Sequence, residues 1–284
     1  MKSGLGILHP RYGFMLHHAT FTACIIRRGI YMSITDLIIA AIAAMGAGVV
    51  NAIAGGGTLI TFPVLTALGL PAVVANVTNT IALSPGYLGG TFAQWNDLKV
   101  LKRQLWLLVP ISVLGGLAGG ALLLWTGEKS FRELVPYLIL LASLLLAVQG
   151  RVRQWLVKKA GSGNGARTNH LLILSLVTPA AVYGGYFGAG VSVIVLAVLG
   201  LAIDDSIVRL NALKQAVAFC INVTAALFFL FSGKVYWMAA LVMAAGALLG
   251  GVIGGKLAGK LKPAVLRWTV VAIGFAVAVY YFVA

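Results

Sequence analysis

With 284 residues, 61% of them apolar and 10% charged, and a mean hydropathy of +1.00, the chain departs far from the roughly half-apolar, quarter-charged make-up of a water-soluble domain. That class is excluded, and a polytopic membrane protein is indicated. The net charge of +15 is what basic, orientation-fixing loops leave behind, and it argues against nucleic acid as a partner; two cysteines, four histidines and six acidic residues leave no disulfide framework, metal set or paired-carboxylate chemistry to expect.

Residues 1–31 carry Lys2, Arg11, Arg27 and Arg28 around a patchy apolar stretch with no small-x-small cleavage site before the first span. They are expected to be a tail, or to precede a true start at Met32, where Ser33, Thr35 or Asp36 would cap the helix that follows. Span 1 is predicted over 37–52 and ends in Asn51-Ala-Ile-Ala-Gly55-Gly56-Gly57-Thr58. Three consecutive glycines, each costing about 1 kcal/mol in a helix relative to alanine, predict a helix broken at membrane depth. In lipid such a break survives only where protein or a water-filled cavity receives its free N–H and C=O groups. It is therefore a solute-binding feature of a transporter, with close helix packing as the plainer alternative. A half-length helix is expected over 59–68, with Pro63 inside it. After the turn Gly69-Leu70-Pro71, span 2 covers 74–92, with Asn76, Thr78, Asn79 and Thr80 in its first turns and a kink at Ser84-Pro85-Gly86. A basic loop with Lys99, Lys102 and Arg103 leads to span 3 (105–125), whose Gly115-Gly116 and Gly119-Gly120 make a small-residue face. A charge-balanced loop then leads to span 4 (134–148).

Residues 150–169, with Arg151, Arg153, Lys158, Lys159, Arg167 and the run Gly161-Ser-Gly-Asn-Gly165, form a flexible basic linker, placed in the cytoplasm between two halves. The second half restates the first. An apolar segment over 171–183 meets Gly184-Gly185-Tyr186-Phe187-Gly188-Ala189-Gly190, resumes over 191–201, and is followed by Arg209, Asn211, Lys214 and Gln215 at the start of span 6. Gly188 and Gly190 fall on Gly55 and Gly57, and Asn211 and Lys214 fall close to Asn76 and Asn79. Span 7 (236–253) repeats the small-residue face at Gly246, Gly250-Gly251 and Gly254-Gly255, and a basic loop precedes span 8 (268–282). The expected fold is an all-α polytopic membrane protein of about eight segments, in homologous halves 32–149 and 170–284, the first segment of each broken at a glycine motif. If each broken segment enters and leaves on one side, all three basic loops become cytoplasmic and the halves are inverted, the arrangement preferred here.

In duplicated transporters the site lies where the copies meet. The candidate substrate-binding residues are Asn51, Gly55, Gly56, Gly57, Thr58, Asn76, Thr78, Asn79, Gly188, Gly190, Asn211, Lys214 and Gln215. Lys214 leads, because a lysine inside an apolar span is expensive and faces a cavity or partner unless it snorkels to the interface. Donors, one cation, broken-helix N-termini and no carboxylate describe an anion site. Thr58 and Ser192 could cap the half-helices or donate to substrate.

Taken together, Gly55-Gly56-Gly57-Thr58 with the apolar run to Pro63, the Thr78-Asn79 pair, and the matching Gly188-Ala189-Gly190 and Asn211-Ala-Leu-Lys214 resemble the TauE/SafE sulfite and organosulfonate exporter family over nearly everything after Met32. The resemblance implies a multi-pass secondary transporter of the inner or plasma membrane, not an enzyme, needing no cofactor. It would move a small sulfur-containing anion such as sulfite, sulfoacetate or another organosulfonate, driven by the proton gradient or the membrane potential. Its partners would be that anion, protons and the lipid bilayer, with a homo-oligomer left open. Apart from Asp36 at the start of span 1, no acidic residue appears within the predicted spans, which puts proton carriage by a side chain in doubt. An anion channel and a membrane-embedded accessory or assembly protein are the alternatives.

Overall fold

The computed structural model describes residues 32–160, 170–203, 205–257 and 263–283. The N-terminal tail, the glycine-rich run 161–165 and the part of the last basic loop holding Lys260 and Lys262 lie outside the described residues. Those described form helices joined by short connections, with no strand among them. Five of the helices are long and apolar enough to cross a membrane, so the chain is a polytopic helical membrane protein.

Helix α1 (Ile34–Ile53) begins at a capping box, in which Ser33 Oγ accepts from the Asp36 N–H and Asp36 Oδ2 accepts from the Ser33 N–H. It stops where Ala54 and Gly55 both donate to the Val50 carbonyl, at 2.7 and 2.8 Å, with Gly55 at φ 83° and Gly56 at φ 93°. This left-handed backbone costs glycine almost nothing and other residues a steric clash. Helix α2 (Thr58–Ala67) follows, its N-cap being Gly57 without any side-chain cap, so Thr58 opens the helix but does not cap it. Next come α3 (Ala72–Ala93), α4 (Trp95–Val100) and the long α5 (Lys102–Ala160), which Gly127 (φ 73°, ψ 174°) divides into 102–126 and 128–160. The charge-balanced loop expected near 128–133 is thus the first turns of the second part.

The basic stretch after Gly150 differs from the expected linker, because α5 continues to Ala160. Residues 151–160 contain no glycine or proline, and Leu156 is buried where the absent side chain of Gly200 makes room for it. Four further helices and one half-helix complete the chain: α6 (His170–Tyr186), α7 (Val191–Ala202), α8 (Ile207–Leu230), α9 (Trp237–Leu257) and α10 (Pro263–Val283). The end of α6 repeats that of α1. Phe187 and Gly188 both donate to the Tyr183 carbonyl, at 2.9 and 3.2 Å, and Gly188 has φ 78°.

Side-chain contacts fix which ends lie together. At one end, Glu128 accepts from the N–H groups of Ala72 and Val73, the Met32 N–H reaches the Tyr236 hydroxyl, and the Tyr281 hydroxyl donates to Thr66 Oγ1. At the other, which carries Lys99, Lys102, Arg151, Arg153 and Lys256, Asn211 of α8 meets Gln94 after α3 and Arg267 of α10 packs over Gly150. Helix α1 therefore runs from the first end toward the basic end and α2 returns. Helix α6 runs beside the first part of α5, Gly115 against Ala181 and Gly119 against Val182, and α7 comes back to the basic end beside Leu156. The two glycine breaks abut the same turns in the second part of α5: a Cβ on Gly56 would meet Leu146, and one on Gly190 would meet Ala142 and Leu145.

Candidate functional site

A cavity of about 660 Å³ opens among the helix ends at the basic end and reaches inward to the first glycine break. Helix α1 contributes Asn51 and, past its end, Gly55. Asn51 Oδ1 accepts the Gly57 N–H at 2.7 Å, bridging the break and satisfying one of the free donors at the start of α2. Gln149 of α5 donates its Nε2 to the Ala54 carbonyl at 2.8 Å, satisfying the acceptor side of the same break. The break is thus held open by two amide side chains, and neither the helix nor lipid supplies those partners.

From α8 come Asn211, Lys214 and Gln215, one turn apart and therefore on one face. Lys214 Nζ donates to Asn211 Oδ1 at 2.7 Å, and Asn211 Nδ2 donates to Gln94 Oε1 at 2.9 Å. This relay uses one ammonium proton and leaves others for a ligand. Two more cations line the cavity, Arg153 from α5 and Arg267 from α10, and among the described lining residues there is no carboxylate. Arg209, the other cation near Lys214 in sequence, is instead 3.2 Å from Asp205 in a half-buried pair.

The cavity therefore gathers Asn51, Gly55, Asn211, Lys214 and Gln215, with Ser192, and not the remaining candidates. Gly56 packs on Leu146, while Gly57 is spent on the Asn51 bond. Asn76, 1% exposed, donates Nδ2 to the Tyr186 carbonyl at 2.9 Å. Thr78 Oγ1 accepts the Tyr236 N–H at 3.0 Å, and Asn79 Oδ1 accepts from Thr61 Oγ1. Gly188 ends α6 and Gly190 precedes α7 in left-handed geometry. A single pocket holding both breaks and both polar clusters was expected. The arrangement is crossed: the first break faces the polar cluster of α8 across the cavity, whereas the second break faces the α3 cluster in a closed contact. Opposite entry of α1 and α6 is the reason, since it aims the two breaks at different ends.

Between the cavity and the far end, Phe62, Phe131, Tyr186 and Phe187 are all buried and meet edge to face or tilted, with Phe62 and Phe187 centroids 5.4 Å apart and Phe131 and Tyr186 5.6 Å apart. Arg153, Arg267, Gln94 and Gln149 carry no distinguishing mark in the sequence, where polar and cationic residues flanking apolar spans read as loop residues. The i, i+4 spacing of Gln149 and Arg153 was the available signal, had the helix been extended past Gly150.

A family model described as sulfite exporter TauE/SafE matches residues 40–281. The chain is 28% identical over 205 residues to a "Probable membrane transporter protein" of Haemophilus influenzae, covering 72% of this chain and 78% of that one. It is 28% identical over 210 residues to the "Probable membrane transporter protein YfcA" of Escherichia coli K12, covering 73% and 75%. Against the "Probable membrane transporter protein ORF9" of a Sinorhizobium species it is 28% identical over 215 residues, covering 74% and 78%. No solved structure matches the chain.

Proposed function

The chain belongs to the sulfite exporter TauE/SafE family of membrane transporters, and on that premise we propose that it carries a small sulfur-containing anion, such as sulfite, sulfoacetate or another organosulfonate, out of the cell by alternating access. One observation carries the reading: among the described residues, a cavity at the first glycine break offers three cationic side chains, several amides and no carboxylate. An anion is stabilised there by charge-assisted hydrogen bonds and a cation is not. The binding set is Asn51, Gly55, Asn211, Lys214 and Gln215, joined by Arg153 and Arg267.

Eight segments in two inverted halves, 32–149 and 170–284, with each broken segment entering and leaving on one side, account for the return of α2 and α7 to the ends from which α1 and α6 set out. Under the positive-inside rule the basic end faces the cytoplasm of the cell membrane, so the conformer described is open inward. The aromatic contact of Phe62, Phe131, Tyr186 and Phe187 then closes the outward side, which favours a carrier over a channel. Asn76, Thr78, Asn79, Gly188 and Gly190 belong to that closed half, where they would meet substrate only after the outward side opens. Among the described residues no acidic side chain lines the cavity, and efflux driven by the membrane potential, or exit of a protonated substrate, needs no carboxylate relay.

The test is efflux from cells or proteoliposomes. Lys214→Ala and Lys214→Gln are expected to lower sulfonate efflux by at least about tenfold, the loss of one charge-assisted contact, with membrane insertion intact. Undiminished efflux would remove Lys214 from the site, and flux that rises without saturation would favour a channel.

A further inference from the structure

Lys214, Arg153 and Arg267 stand on three different helices around one cavity, and Arg267 is held unusually. Its Nε is buried and, among the described residues, has no hydrogen-bond partner. Its guanidinium lies over Gly150, where a Cβ would fall 2.6 Å from one terminal nitrogen and 2.8 Å from the other. The ring of Trp268 is 5.9 Å from its central carbon. Any side chain at residue 150 would displace the group, so the glycine admits the arginine to its seat. A guanidinium presents a planar fork that matches two oxygens of a sulfonate or carboxylate, and among the described residues this one lacks the carboxylate partner that such a group takes when its role is structural.

We propose that Arg267 reads the second end of the substrate, so that the cavity selects a two-ended dianion over a singly charged anion or a zwitterion. The inference rests on the anion-transport reading above. A volume of about 660 Å³ holds on the order of twenty waters at about 30 Å³ each, more room than a bare oxyanion fills. One end of such a ligand meets Lys214 and the other meets Arg267, with Arg153 beside them. An ammonium group at the second end would meet cations and amide donors with no carboxylate among the described lining residues to receive it, which is how a site rejects a near-isostere.

The experiment measures binding to the purified full-length protein in detergent with four probes: sulfoacetate (a sulfonate with a second negative end), taurine (a sulfonate with an ammonium end), methanesulfonate (one end only) and malonate (a dianion without sulfur). Sulfoacetate is expected to bind at least about tenfold more tightly than taurine or methanesulfonate, the value of one charge-assisted contact. Arg267→Gln is expected to bring the three sulfonates within about threefold of one another, with sulfoacetate losing the most. Gly150→Ala is expected to reproduce that collapse with both cations retained, because only the terminal atoms of a flexible side chain must move. Equal binding of the three sulfonates by the wild type overturns the proposal without any variant, and so does a preference that survives both substitutions. Malonate bound in an Arg267-dependent way, with no sulfonate bound, keeps the dianion receptor and overturns the sulfur-anion reading. Three sulfonates bound alike does the reverse.

Discussion

Asn51 is where local chemistry and function meet. Its Oδ1 satisfies the buried Gly57 N–H at 2.7 Å, and the same residue lines the cavity. Removing the acceptor leaves a donor unmatched in a place lipid cannot reach, so Asn51→Ala is expected to cost about 1–3 kcal/mol, read as a lower melting temperature in detergent. Asn51→Asp keeps an acceptor at that position and is expected to melt near the wild type. It also introduces a carboxylate that the described lining residues lack, so anion efflux should fall; full efflux by that variant would argue against an acid-free site. At this scale, Lys214 and Asn211 were legible in the sequence because polar residues within an apolar span have few inexpensive places to go. Arg267 was not, because a cation close to the start of a span has the same sequence appearance whether it snorkels to headgroups or turns inward.

Between helices the glycines decide how closely backbones approach. A Cβ on Gly246 would overlap the Ala41 carbonyl, one on Gly250 the Met45 carbonyl, and one on Gly254 would lie 2.8 Å from the Val49 Cα. Helix α9 thus lies against α1 along an i, i+4, i+8 stripe, and the first part of α5 lies against α6 through Gly115 and Gly119 in the same manner. Gly250→Ala is expected to destabilise by about 1–3 kcal/mol through overpacking. Neighbouring Gly251→Ala, which meets nothing within 4 Å, should be neutral or gain up to about 1 kcal/mol of helix propensity. Comparing their melting temperatures checks the stripe, and equal effects would refute it. The small-residue faces themselves were visible in the sequence. Their partners were not, since a stripe records that something comes close and not which helix it is.

Over the whole molecule, the crossed arrangement of breaks and polar clusters determines what is open. The first break looks into the cavity, while the second lies beside Asn76 and the contact of Phe62 with Phe187. In a background lacking Cys24 and Cys220, Lys99→Cys and Val252→Cys are expected to react with a membrane-impermeant thiol reagent from the cytoplasmic side, and Lys129→Cys from outside. Saturating anion should protect Val252→Cys and leave Lys99→Cys unaffected, because Val252 lines the cavity and Lys99 lies on α4 beyond it. Labelling of Lys99→Cys and Lys129→Cys from the same side would overturn the inverted topology.

The order of spans, the two interruptions and the cluster of Asn211, Lys214 and Gln215 in an apolar span follow from the sequence by itself. Lipid penalises unpaired backbone and charge so heavily that glycine runs and stray cations keep few alternative meanings. Tertiary structure alone decided that α5 runs on to Ala160, which candidate residues share the cavity, and that Arg153 and Arg267 join them. Those outcomes depend on which helix end approaches which, a relation between residues more than a hundred positions apart, such as Gly150 and Arg267, that no local spacing encodes.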